Sequence, residues 1–263
     1  MSNVVDSILS NADYFVLLLI RVSALVIASP IFGRVNIPNI AKIGLVATLT
    51  YMFFFYYPPV SEISYTSLFG FALICMGEAL IGITLAFITN MFFALTFTAG
   101  QMIDMQIGFG IVNVYDAQNN TQIPMMGNLL NIILLMVFFG VNGHHRLIEI
   151  LYLTFDRLPV GNLGFDPNIG ITVVEIFAMS FMLGVMVALP IIASGIVLEF
   201  AFGMLMRTVP QLNMFVVGIP IKMLLGFLMV FMLIPVFVNF SDTIFTEMFN
   251  GVEKMFNTFL VSP

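Results

Sequence analysis

The chain has 263 residues, 60% of them hydrophobic and 8% charged, with eight basic and 14 acidic side chains for a formal charge of −6. A soluble domain carries about a quarter charged residues, so this composition excludes a water-soluble surface and reads as an integral membrane protein. The sparse, slightly acidic charge argues against a nucleic-acid partner or a polybasic lipid-binding patch, and a single cysteine, Cys75, excludes an intramolecular disulfide.

The first apolar run follows "MSNVVDSILSNADYF", which holds two aspartates and no basic residue. That is unlike a cleavable signal peptide, so the segment is expected to stay as a helix of the mature protein. No Lys or Arg precedes Arg21, while Arg34 and Lys42 follow, and the positive-inside bias then puts the N-terminus outside. Apolar runs recur near 14–32, 43–57, 63–103, 123–143, 171–206 and 214–240. A helical span takes about 20 residues, so the plain expectation is an all-α protein of six or seven helices.

Two runs are too long for one crossing. Between Glu62 and Asp104 the one charge is Glu78, and no turn signal intervenes. As a helix this stretch would measure about 60 Å, roughly twice a bilayer core. The stretch from Asp166 to Arg207 is similar. Either each is a hairpin with a minimal loop, or each is a long helix whose apolar faces meet protein instead of lipid. The second reading is preferred, because Gly77-Glu78 makes a poor loop. Ser180, Gly184 and Ala188 stand four apart, a stripe that lets two helix backbones approach. In "GQMIDMQIGFG", Gly100, Asp104 and Gly108 repeat in the same way. One carboxylate thus lies on a stripe otherwise bare of side chains, suited to contact with another helix. Loop signals gather at 115–124, 141–145 and 158–170.

A search for catalytic chemistry finds none. His144 and His145 are neighbours, pointing about 100° apart on a helix, so they cannot chelate one metal together. His145 and Glu149 have i, i+4 spacing, for which a polar helix start is the simpler reading. No phosphate-binding glycine loop, GxSxG elbow or HExxH occurs, so neither an enzyme nor a cofactor is expected. The intramembrane charges Arg21, Glu78, Glu175 and Glu199 are costly in hydrocarbon and face protein or water. They suit either a proton relay in a secondary transporter or ties within a larger assembly. Scattered and without obvious pairing, they favour ties. Most of the 20 methionines are ordinary filler, but Met102, Met105, Met125 and Met126 flank the polar 115–124 loop and suit a compliant gasket.

The stretch "RTVPQLNMFVVGIPIK" sets Arg207, Pro210, Gln211, Asn213, Pro220 and Lys222 between two runs that could each cross a membrane. Arg207 falls in a last helical turn, where a cation complements free carbonyls. Pro210 interrupts the helix and Asn213 suits the cap of a new one from Met214. Gly218 and Pro220 then loosen or kink it. Lipid tolerates a broken helix only where protein or water satisfies the freed groups, so this segment is expected to face a subunit or a passage.

Four motifs, "GEALIGITLAF" (77–87), "AGQMIDMQIGF" (99–109), "NGHHRLIEILYLTFDRLPVG" (142–161) and "RTVPQLNMFVVGIP" (207–220), together resemble the FliR/SctT family of type III export gate subunits. The resemblance runs over essentially the whole chain, and the "AGQMIDMQIGF" form looks flagellar. "YDAQ" at 115–118 departs from the Asp-Pro of the family pattern. The resemblance implies a single domain, with about 1–165 FliP-like and about 166–263 FliQ-like. It implies assembly with FliP-like, FliQ-like and FlhB-like membrane proteins in a helical ring at the centre of the basal body, in the bacterial inner membrane. Unfolded flagellar proteins would pass through its lumen. The family's plug loop carries over onto Gly108 to Pro124, with Gly108, Phe109, Ile111, Val114, Tyr115 and Asp116 as plug or lumen residues and Glu78 and Asp104 as buried charges. The alternatives are a secondary transporter coupling through Glu78 and the 207–222 break, and a scaffold without a pore.

Overall fold

The computed structural model describes residues 10–57, 65, 67–109, 124–161, 168–209 and 214–259. Every long element among them is an α-helix: α1 (Ala12–Ala28), α2 (Asn39–Tyr56), α3 (Leu68–Ile107), α4 (Met125–Gly140), α5 (Gly143–Arg157), α6 (Ile169–Thr208) and α7 (Met214–Phe259). The two over-long runs are single helices, α3 and α6, of 40 residues each. Gly77-Glu78 causes no break because both residues are packed inside the protein. A helical glycine costs only about 1 kcal/mol relative to Ala.

The new helix expected from Met214 is present as α7, and it continues through Gly218 and Pro220. It runs for 46 residues with Pro220 and Pro235 inside it. Each proline removes a single backbone donor, a loss that neighbouring groups absorb in membrane helices. α6 ends at Thr208 and α7 begins at Met214.

The chain forms two compact units. The first comprises residues up to Met91, Asn142–Ile176 and the stretch from Met248. In it α1 buries Leu17, Leu18, Arg21, Val22, Leu25 and Val26, a stripe at helical spacing. Asn90 on α3 donates to the carbonyl of Ala28 at 2.7 Å, satisfying a free group at the end of α1. Against this, α5 lays Leu147, Leu151, Thr154 and Phe155 inward, while His145, Arg146, Glu149, Asp156 and Arg157 stay exposed. The turn into α5 holds Asn142 at φ 57°, the left-handed region that Asn tolerates.

The second unit comprises Phe92–Val141 and Phe177–Glu247. Phe138, fully buried, meets Phe93 and Phe245 edge-on, with ring centroids 5.6 and 5.3 Å apart. Such pairs add about 0.5–1.5 kcal/mol beyond the area they bury. The small-residue stripe on α6 works as expected. A Cβ on Gly184 would lie 3.1 Å from the Leu95 carbonyl oxygen, and Ser180 and Ala188 are buried on the same face.

Four of the described helices, α2, α3, α6 and α7, are long and apolar enough to cross a membrane, and α4 with α5 makes a fifth candidate if counted as one interrupted span. The chain does not cover their apolar faces itself. In the most apolar window of α7 only 17% of residues are buried, and in α6 28%.

Candidate functional site

Two polar centres stand out, one in each unit. In the first, Arg21 on α1 and Glu78 on α3 form an ion pair with Nε to Oε2 at 2.6 Å and both side chains fully buried. Arg21 Nη1 also donates to the carbonyl and the hydroxyl of Thr154, at 3.2 and 3.3 Å, and both Nη atoms donate to the carbonyl of Leu158 at 3.1 Å. Those carbonyls lie at the end of α5: Thr154 sits in its last turn and already accepts from the Leu158 N–H at 2.8 Å, and Leu158, just past the helix, offers a carbonyl with no helical donor of its own. The guanidinium therefore caps that helix and complements its negative end. It also sits over the Phe155 ring, 4.5 Å from the centroid. The second carboxylate oxygen, Glu78 Oε1, accepts from the backbone N–H of Gly161 at 2.9 Å. Gly161 holds φ 87°, a conformation costly to a side chain with a Cβ.

This corrects the expectation that the intramembrane charges lack pairing. Glu78 pairs with Arg21, Glu199 with Lys222 and Glu175 with Lys254. Only the first pair is buried. The carboxylates of the other two are about half exposed, at 54% and 53%, so salt and water screen them. Tyr65, outside the candidate spans, donates its phenol to Asp13 at 2.6 Å, and that hydrogen bond to a carboxylate raises the phenol pKa above its ordinary value.

The second centre is the crossing of α3 and α4. A Cβ on Gly100 would overlap the backbone N and Cα of Gly127, so the two helices touch backbone to backbone. Asp104, one turn on and 4% exposed, turns its carboxylate to the N–H of Met126, with Oδ1 at 3.3 Å and Oδ2 at 3.4 Å. Pro124, at the N-cap of α4, supplies no side-chain acceptor. Asp104 takes over that duty from a different helix, placing an anion at the positive end of α4. Then α3 ends: the N–H groups of Gly108 and Phe109 both bond to the Asp104 carbonyl, at 3.1 and 2.9 Å, with Gly108 at φ 102°. This is a glycine-based helix stop. Phe109 next meets the Phe227 ring edge-on at 5.5 Å. The Gly100–Asp104–Gly108 stripe thus makes the helix contact its spacing implied, and then ends the helix.

Of the other residues singled out in the sequence, Met126 is 4% exposed and belongs to the core, which corrects its place in a gasket. Met105 and Met125 are 69% and 62% exposed, and Met102 is half-buried. Arg207 lies exposed in the last turn of α6. Lys222, expected as a subunit contact, is held within the chain by Glu199, which also accepts from Gln106 at 3.5 Å. Pro220 is exposed on α7. Ile111, Val114, Tyr115, Asp116, Pro210, Gln211 and Asn213 lie outside the described residues. Sequence reading missed Thr154, Leu158 and Gly161. The glycine that closes "LPVG" was the available signal, but its partner stands 83 residues away.

With this geometry in view, comparison with known proteins decides the family. The profile of the bacterial export proteins, family 1, matches residues 12–248. The chain belongs to that family. Among family members, it is 34% identical to the flagellar biosynthetic protein FliR of Bacillus subtilis over 230 residues, covering 85% of this chain and 87% of that one. It is 32% identical to the flagellar biosynthetic protein FliR of Escherichia coli, covering 88% of each. It is also 25% identical to Yop proteins translocation protein T of Yersinia pestis, covering 79% and 80%. The FliR/SctT membership expected from the four motifs therefore holds.

Proposed function

We propose that this chain is a subunit of the flagellar type III export gate, helping to form the passage through which unfolded flagellar proteins cross the inner membrane. The carrying observation is the length of uncovered apolar helix. Exposed apolar side chains run along α6 from Ile171 to Met206, which at 1.5 Å per residue is roughly 52 Å. Even a 40° tilt leaves roughly 40 Å to cover, against a hydrocarbon core of about 30 Å. Lipid alone cannot cover such a helix, so companion subunits do. The kinship with flagellar biosynthetic FliR proteins and with Yop proteins translocation protein T supports an export apparatus as what those companions build.

On this reading residues 1–165 play a FliP-like part and 166–263 a FliQ-like part. The partners are FliP-like, FliQ-like and FlhB-like membrane proteins at the centre of the basal body. The loop from Gly108 to Pro124 plugs the closed lumen, with Ile111 and Val114 as its apolar stoppers. Met105 and Met125, both highly exposed at the two ends of that loop, supply compliant seal side chains. Glu78 serves as a structural tie, since the buried Arg21 and Gly161 take both of its oxygens. This disfavours the transporter alternative. The test is export itself. A strain lacking the chain is expected to stop delivering hook and filament proteins to the medium and to regain delivery when the chain is restored. Undiminished export without the chain would contradict the proposal.

A further inference from the structure

The helix pair α3–α4 carries an uncovered side with uncharged amides, which the exposed face upstream on α3 lacks. Upstream on α3 the exposed large side chains include Leu73, Met76, Leu80, Ile83 and Phe87, all apolar. Past the unit boundary the exposed positions include Gln101, and on α4 they include Asn128. Asn131, one turn further, is half-buried with its Oδ1 shut away from solvent and unbonded. None of these three amides has a side-chain hydrogen-bond partner among the described residues.

Their placement follows from the crossing. Asp104 meets Met126, Gly100 meets Gly127 and Phe93 meets Phe138, so the two helices run antiparallel. Gln101 and Asn128 are each the residue after a crossing glycine. A 100° step in a right-handed helix, taken in opposite directions along the two axes, turns both side chains to the same side of the pair.

We infer that this side, bearing Gln101 and Asn128 with Asn131 behind them, is the wall along which the exported polypeptide slides. The inference rests on the export reading above and names the surface that carries it. Hydrocarbon cannot satisfy free amides, so lipid does not cover this side. A tight seam with a neighbouring helix would call for small residues, as at Gly100–Gly127 and Gly184, whereas here long, flexible Met105 and Met125 flank the amides. An unfolded chain presents backbone N–H and C=O groups whatever its sequence. Uncharged amides both donate to and accept from them without selecting by charge.

The test places a photo-crosslinking residue at Gln101, at Asn128 and, as controls, at Phe87 and Val174. It is done in the intact export apparatus with a substrate stalled by a fused, tightly folded domain. Crosslinks to the stalled chain from 101 and 128 are expected at least about fivefold above the controls. Crosslinks to another membrane subunit, or to no protein, overturn the inference. A further probe at Ile111 separates the two levels. Crosslinking there but not at 101 and 128 leaves the conduit and removes this wall, while no crosslink at any of the three removes the conduit as well. Gln101→Leu/Asn128→Leu provides a second readout. Export flux is expected to fall at least about threefold with the complex recovered in normal amount, and unchanged flux would overturn the inference.

Discussion

Glu78→Gln isolates the charge of the buried pair from its shape. The amide keeps the volume and can still accept from Gly161 N–H, now 2.9 Å from Oε1. It leaves the fully buried Arg21 guanidinium without its counter-charge, which stands at 2.6 Å. Removing one partner of a buried pair costs about 3–5 kcal/mol. The bonds from Arg21 to Thr154 and Leu158 and its place over Phe155 survive, so the low end, about 3 kcal/mol, is expected. For a chain of this size that corresponds to a melting temperature lower by about 6–12 °C. The assay is thermal unfolding of the purified assembly, followed by intrinsic fluorescence and by loss of the intact complex. Arg21→Met/Glu78→Met completes the cycle. Replacing both charges with apolar groups is often neutral, so the double variant should be more stable than Glu78→Gln and should still export. A Glu78→Gln shift below about 1 °C would refute the structural tie. A stable double variant dead in export would restore a proton-carrying role.

The remaining expectations are narrower. Gly100→Ala drives a methyl group into the Gly127 backbone and is expected to cost about 1–3 kcal/mol as overpacking, read as a lower yield of assembled complex. Asp104→Ala removes the acceptor for Met126 N–H and is expected to cost about 1 kcal/mol, with Asp104→Asn losing less; equal losses would deny the capping role. Glu199→Gln breaks a pair whose carboxylate side chain is 54% exposed, so a stability change under about 1 kcal/mol is expected by the same thermal assay. Deleting residues 110–120 is expected to make membranes leak ions while the complex still assembles, and tight membranes would remove the plug assignment.

The long helices were legible because nothing between Leu68 and Ile107 can turn a chain in lipid, and the structure carries one helix through all of it. The Gly100–Asp104–Gly108 stripe was equally legible as a contact face, since bare positions on one side of a helix invite another backbone. Its partner, Gly127, was not, because a single glycine in an apolar run carries no address. Ion pairing escaped for a related reason. Arg21 and Glu78 are 57 residues apart and Glu175 and Lys254 79 apart, and local periodicity says nothing about meetings at such separations. Pro220 marked a weak point in the sequence without telling how far the helix runs on, and α7 absorbs the missing donor and continues. On the proposed function the uncovered apolar surface of α6 and α7 meets companion subunits, and one chain's sequence does not print its neighbours.

The most direct measurement of the central claim is native mass, taken on this chain expressed with its genomic neighbours and purified in mild detergent. A complex holding several different membrane proteins, stable enough to survive the detergent, is the expected result. A well-folded, solitary chain with α6 and α7 coated only by detergent would contradict it.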